Sequence, residues 1–195
     1  MSRTHVTRPM VVTLAVAILA SVALHGGLLL AAGDAATMRE KVAGITKFGQ
    51  NPTRQGHQTT VTEDEVNSFL TVDGFGQLPA GITEPSVSIL GGGRASGRAV
   101  VDFGALRKQK NPTGLFDPLT YLSGHLQVTL IGALRTGGGT GVFEVESGSV
   151  ARVPVPKSLL EELLKYLGTG LDASFALPAH IREIRLERGQ AIIVQ

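Results

Sequence analysis

The chain has 195 residues, with no Cys and no Trp. That excludes disulfides, Cys-ligated zinc, iron–sulfur clusters, a thiol nucleophile and a lipid-modified Cys anchor. With only seven Phe and two Tyr, aromatic stacking platforms for single-stranded nucleic acid are not expected. Lys and Arg total 18 against 16 Asp and Glu, and beyond Gly33 the two signs balance, so a pI near 9.2 does not mark a nucleic-acid binder.

Arg3, His5 and Arg8 precede an apolar stretch from Met10 to Ala32. A basic start followed by an apolar core is the pattern of a secretory signal, and 23 residues exceed the ~20 that cross a bilayer. Residues 1–33 are therefore expected to be a signal peptide or a signal-anchor helix. As an anchor, the segment keeps Arg3 and Arg8 in the cytoplasm; as a cleaved signal, it is cut after Ala23 or Gly33. The apolar run is longer than a usual signal core, which favours the anchor. Either way residues 34–195 lie outside the cytoplasm, membrane-anchored or else periplasmic or secreted. Asn51-Pro52-Thr53 and Asn111-Pro112-Thr113 are glycosylation motifs disabled by their Pro, and together with the signal they suit a bacterial cell envelope.

Residues 34–61 read as a juxtamembrane stalk. Met38, Val42, Ile45 and Phe48 sit near helical spacing, and 51–60 reads as a polar linker. The domain is expected over 62–195. Thr62-Glu63-Asp64-Glu65 forms a capping box, after which Val66, Phe69 and Leu70 give a helix one apolar face. Three hairpins are predicted. The first pairs Ser86–Leu90 with Ala95–Phe103 across Gly91-Gly92-Gly93-Arg94. The second pairs His125–Arg135 with Val142–Val150 across a Gly-rich turn, and the third pairs Arg182–Glu187 with Ala191–Val194. Residues 104–123 form an irregular excursion. Val153-Pro154-Val155-Pro156 is extended because Pro keeps its predecessor out of the helical region. A Leu-rich helix follows over 157–167. The class is α+β: an antiparallel sheet of about six strands packed with two helices, in the order α-ββ-ββ-α-ββ.

No motif marks an active site. Gly91–Gly93 and Gly137–Gly141 lack the Lys-Ser/Thr of a phosphate loop and open no helix. The five His make no metal-binding pair, so no metal is expected. Ser147-Gly148-Ser149 supplies no nucleophile elbow. Asp102, Asp117, Glu144, Glu146 and Asp172 form no marked acid pair. No cofactor and no enzymatic activity are expected. Arg107, Lys108 and Lys110, followed by Leu115 and Phe116, could touch a membrane surface or form a solvated loop folded back on the sheet. The distributed apolar signal is Leu126, Val128, Leu130, Phe143, Val145, Leu160, Leu163, Leu164 and Leu167. The same residues could fill a core or line a groove for a hydrophobe.

The membrane segment, the Thr-Glu-Asp-Glu-Val-Asn-Ser-Phe-Leu helix at 62–70 and the run Gly148-Ser149-Val150-Ala151-Arg152-Val153-Pro154-Val155-Pro156 before a Leu-rich helix resemble the YpmS-type family of envelope proteins. The layout of residues 60–195 is also similar to the LmeA-type family. The chain departs from the first in having Val66 where Leu is usual, and its basic loop at 107–110 has no counterpart there. The resemblance implies a TULIP-like domain, in which a curved sheet wraps a helix and cradles lipid. The expected function is a non-enzymatic envelope domain that binds or shields a lipid-like hydrophobe, tethered to the membrane through residues 10–32. The alternative is a structural module with a filled core that docks an envelope protein.

Overall fold

The computed structural model describes residues 32–53, 55–73, 78, 81–105, 122–158, 160 and 172–195. The expected membrane segment up to residue 31, the basic loop with Arg107, Lys108, Lys110, Leu115 and Phe116, and Leu163, Leu164 and Leu167 lie outside these residues. Among the described residues no helix is long and apolar enough to cross a membrane.

The molecule is α+β, with an antiparallel sheet of six strands. Helix α1 (Ala32–Gln50) leads into strand β1 (Gln58–Thr62) and helix α2 (Glu63–Val72). The strands that follow are β2 (Ile82–Gly91), β3 (Arg94–Asp102), β4 (His125–Gly137), β5 (Thr140–Val150), β6 (Val153–Pro154), β7 (Asp172–Ala176), β8 (Glu183–Glu187) and β9 (Gln190–Val194). Lys157, Ser158 and Leu160 are helical, where the Leu-rich helix was expected to begin.

The three hairpins form where the alternating pattern placed them: β2 with β3, β4 with β5 and β8 with β9, all antiparallel. Their sheet membership differs from expectation. The large sheet runs β2-β3-β4-β5-β6, with β7 also on β5, while β8 and β9 join β1 in a separate three-stranded sheet ordered β1-β9-β8. The third hairpin pairs with β1 through β9 and meets β2 only at the isolated bridge Leu90↔Arg188. Gln58–Thr62 pairs residue for residue with Gln190–Val194.

Two bulges keep the apolar residues of the large sheet on one face. In β5 the register slips between Ile131↔Ser147 and Gly132↔Val145. Strict alternation would put Ser147 and Ser149 beside Phe143 and Val145. The extra residue exchanges the faces, so Gly148 and Val150 join them instead. In β2 a second slip falls at Glu84-Pro85, with Glu84 at φ 50. Pro is tolerated at such a site because its missing N–H needs no ladder partner.

The stretch 34–61, expected as stalk and linker, belongs to the folded body. In α1, Ala35, Met38, Val42 and Ile45 are each 0% exposed. Met38, Val42 and Ile45 enter one core with Val61, Val66, Phe69, Leu70, Leu177, Ile181, Ile184 and Ile193. α1 is also clamped to α2 by polar groups. Arg39 bonds Asp73 through Nε at 2.8 Å and Nη2 at 3.2 Å, and Lys41 Nζ bonds both Glu65 oxygens at 2.6 and 2.7 Å. A helix with four fully buried side chains and two ion pairs is a layer of the fold rather than a tether.

Candidate functional site: an apolar cavity between the two sheets

The α2 motif that carries the family likeness has a structural explanation at nearly every position. Thr62 Oγ1 accepts from Glu65 N, and Glu65 Oε2 accepts from Thr62 N at 2.8 Å, which completes the expected capping box. Glu65 is 7% exposed. Burial raises its pKa, but bonds from Lys41 and the Thr62 backbone, the Lys41 charge and the Thr62 hydroxyl together outweigh burial and hold the carboxyl below its ordinary value. Asn67 mimics a neighbouring strand. Its Nδ2 donates to Val87 O and its Oδ1 accepts from Val87 N, each at 2.8 Å. Glu63 Oε2 accepts from Ile89 N at 2.6 Å. These side chains close the outer edge of β2, which would otherwise be open to strand addition. Val66, Phe69 and Leu70 are core.

Three of the five acids considered for catalysis are engaged elsewhere, and nothing is described of the Asp172 side chain. Glu144 pairs with Arg135 at 3.0 Å and Glu146 with Arg94. Asp102 Oδ1 accepts from Gly104 N and Ala105 N, and the Asp102 carboxyl lies 3.7 Å from His125 Nε2. His57 stacks on Phe48 with ring centroids 5.2 Å apart. Asp117 lies outside the described residues. Both Gly-rich segments are hairpin turns, and the first holds three consecutive positive φ values at Gly91, Gly92 and Gly93, which favour glycine.

The apolar candidates do share a face. Cross-strand pairs Leu126↔Val101, Val128↔Val150, Leu130↔Gly148 and Leu134↔Phe143 place them together on the large sheet. They split into two clusters. Leu126 and Val128 pack with Val101, Phe103 and Val150. Leu130 and Phe143 pack with Val145 and Leu160. Leu160 is 2% exposed because Gly148 leaves it a seat: a Cβ there would meet Leu160 Cδ1 at 2.9 Å and Leu130 Cδ2 at 3.0 Å. At this end the face is filled by its own side chains.

The space lies at the other end of the face. A cavity of about 110 Å³ opens where the large sheet meets the three-stranded sheet and both helices. α1 contributes Met38, α2 Val66 and β1 Val61; β8 and β9 contribute Ile184, Leu186, Ala191 and Ile193. Val87, Ile89, Ala95, Leu134 and Phe143 form the wall of the large sheet. Every described lining residue is apolar. Of the six described residues expected to line a groove, Phe143 alone lines this cavity. Its other lining residues fall in the predicted strands, on the apolar face of α2 or in the stretch expected as a stalk, because a cavity between elements distant in sequence leaves no local pattern. Well-packed interiors hold few voids larger than a water molecule. At ~24 cal/mol per Å³ of residual cavity, an empty space of this volume costs about 2–3 kcal/mol.

A second hollow, of about 600 Å³, is shallow and lined by Gly138, Gly139, Leu177, Ala179, His180, Ile181 and Arg182. Arg182 Nη2 there donates to Gln195 O at 2.6 Å.

Compared with protein-family models, curated proteins and solved structures, the chain matches none of them. The likeness to YpmS-type and LmeA-type proteins therefore rests on the residues quoted for it.

Proposed function

We propose that this protein is a non-enzymatic domain of the bacterial cell envelope that binds or shields a lipid-like hydrophobe, held at the membrane through residues 10–32. The observation that carries this reading is the cavity at the junction of two sheets and two helices, whose described walls are apolar side chains. Such walls favour apolar matter by ~25 cal/mol for each Å² removed from water. They offer nothing to polarise a bond or move a proton. The basic n-region and the apolar run at 10–32 support the location, and the family likeness supports the ligand class.

The rival is a packed structural module that docks an envelope partner. It draws support from the filled face around Leu160 and Gly148. Native mass spectrometry of the full chain after gentle extraction separates the two. A retained lipid mass, or saturable uptake of a fluorescent fatty acid, is the expected result. An apo mass together with no uptake favours the structural module.

A further inference from the structure

We propose that the cavity grips the terminal methyl end of a single-tailed amphiphile, which enters tail-first and leaves its polar head outside; this rests on the hydrophobe-binding function above. Among the described residues no lining side chain can satisfy a polar head, and a buried polar group without a partner is costly. The part of the ligand that reaches the cavity is therefore hydrocarbon.

Volume limits how much hydrocarbon enters. The cavity of about 110 Å³ is smaller than the ~150 Å³ void that accommodates benzene. It holds the last few carbons of one chain and has no room for a second tail beside it.

Burial separates a deep wall from a shallower one. The deep wall is Met38, Val61 and Ile193, each at most 1% exposed. Val87, Ala95, Leu134 and Phe143 on the large sheet and Leu186 and Ala191 on the three-stranded sheet are half-buried, so the remainder of the chain leaves on their side.

The test compares decanoate with decanedioate, titrated calorimetrically into the full chain held in amphipol, with amphipol alone as the blank. A tail-first seat predicts that decanedioate, which must bury a carboxyl, binds at least tenfold more weakly than decanoate. Ala95→Leu, which puts bulk into the cavity, should weaken decanoate at least tenfold while the thermal midpoint holds or rises. Equal binding of the two acids overturns the tail-first seat but leaves hydrophobe binding standing. So does a folded Ala95→Leu that binds decanoate as the parent does. Failure of the parent to bind decanoate removes both proposals together.

Discussion

Asn67 shows how one side chain can replace a strand. Its two bonds to Val87 satisfy a backbone donor and a backbone acceptor on the edge of β2. Removing the amide leaves both groups to find water in a half-buried position. Asn67→Ala should therefore lower stability by about 1–3 kcal/mol, read as a drop in the urea midpoint with the slope unchanged. A change within error would mean that the edge is satisfied without Asn67. Glu65 carries a pH dependence of known sign. Its folded pKa lies below its unfolded value near 4.5, so the stability it contributes is fully present above about pH 4.5 and is lost as pH falls through the folded pKa. Glu65→Gln should flatten that part of the acid limb of the stability curve. An identical acid limb in both proteins would remove the Lys41–Glu65 pair from the explanation. At this scale the sequence was highly informative. The capping box was legible because its four residues are contiguous. The Asn67–Val87 bond was not, because its partners lie 20 residues apart and no local spacing encodes a side chain reaching a strand edge.

Elements with a strong period were legible, and those without one were not. β3 and β4 alternate apolar and polar residues, and both appear within a few residues of their expected bounds. β1 carries a single buried residue, Val61, in Gln-Thr-Thr-Val-Thr, so it reads as linker and becomes a strand only because β9 pairs with it. α1 shows its Met38–Val42–Ile45 stripe plainly, but a stripe does not name the surface it covers. In the fold that surface is α2 and the three-stranded sheet. The folded body therefore includes α1 and β1. A fragment beginning at Thr62 loses α1 and nearly all of β1, exposing Val66, Phe69 and Ile193, whereas one beginning at Ala32 keeps the whole core. The longer fragment should unfold cooperatively, and the shorter should lack a cooperative thermal transition by circular dichroism. A cooperatively folding 62–195 fragment would restore the stalk interpretation. Gly49 shows how closely α1 is fitted: a Cβ there would lie 2.6 Å from the Ala179 backbone, and Gln195, 4% exposed, ties Ile45 O to Ala179 O through its Nε2. Gly49→Ala should accordingly be among the costlier single-methyl additions in this protein.

For the whole molecule, the central issue is whether its apolar interior serves only itself. Around Leu160 it does. At the meeting of the two sheets it leaves a hydrocarbon-walled space that Ala95 fails to fill. The location of that space was not readable from the sequence, since its walls come from seven strands and two helices spread over residues 38–193. Most of these residues were legible as apolar positions in periodic segments, whereas Val61 stood alone in a stretch that reads as linker. The most direct measurement is a decanoate titration of the methyl-labelled full chain, followed by NMR. Hydrophobe binding in the cavity predicts saturable shifts at the Ile89, Ile184, Ile193, Leu134 and Leu186 methyls. Shifts confined to the exposed Leu90 and Val153, or no shifts at all, would contradict it.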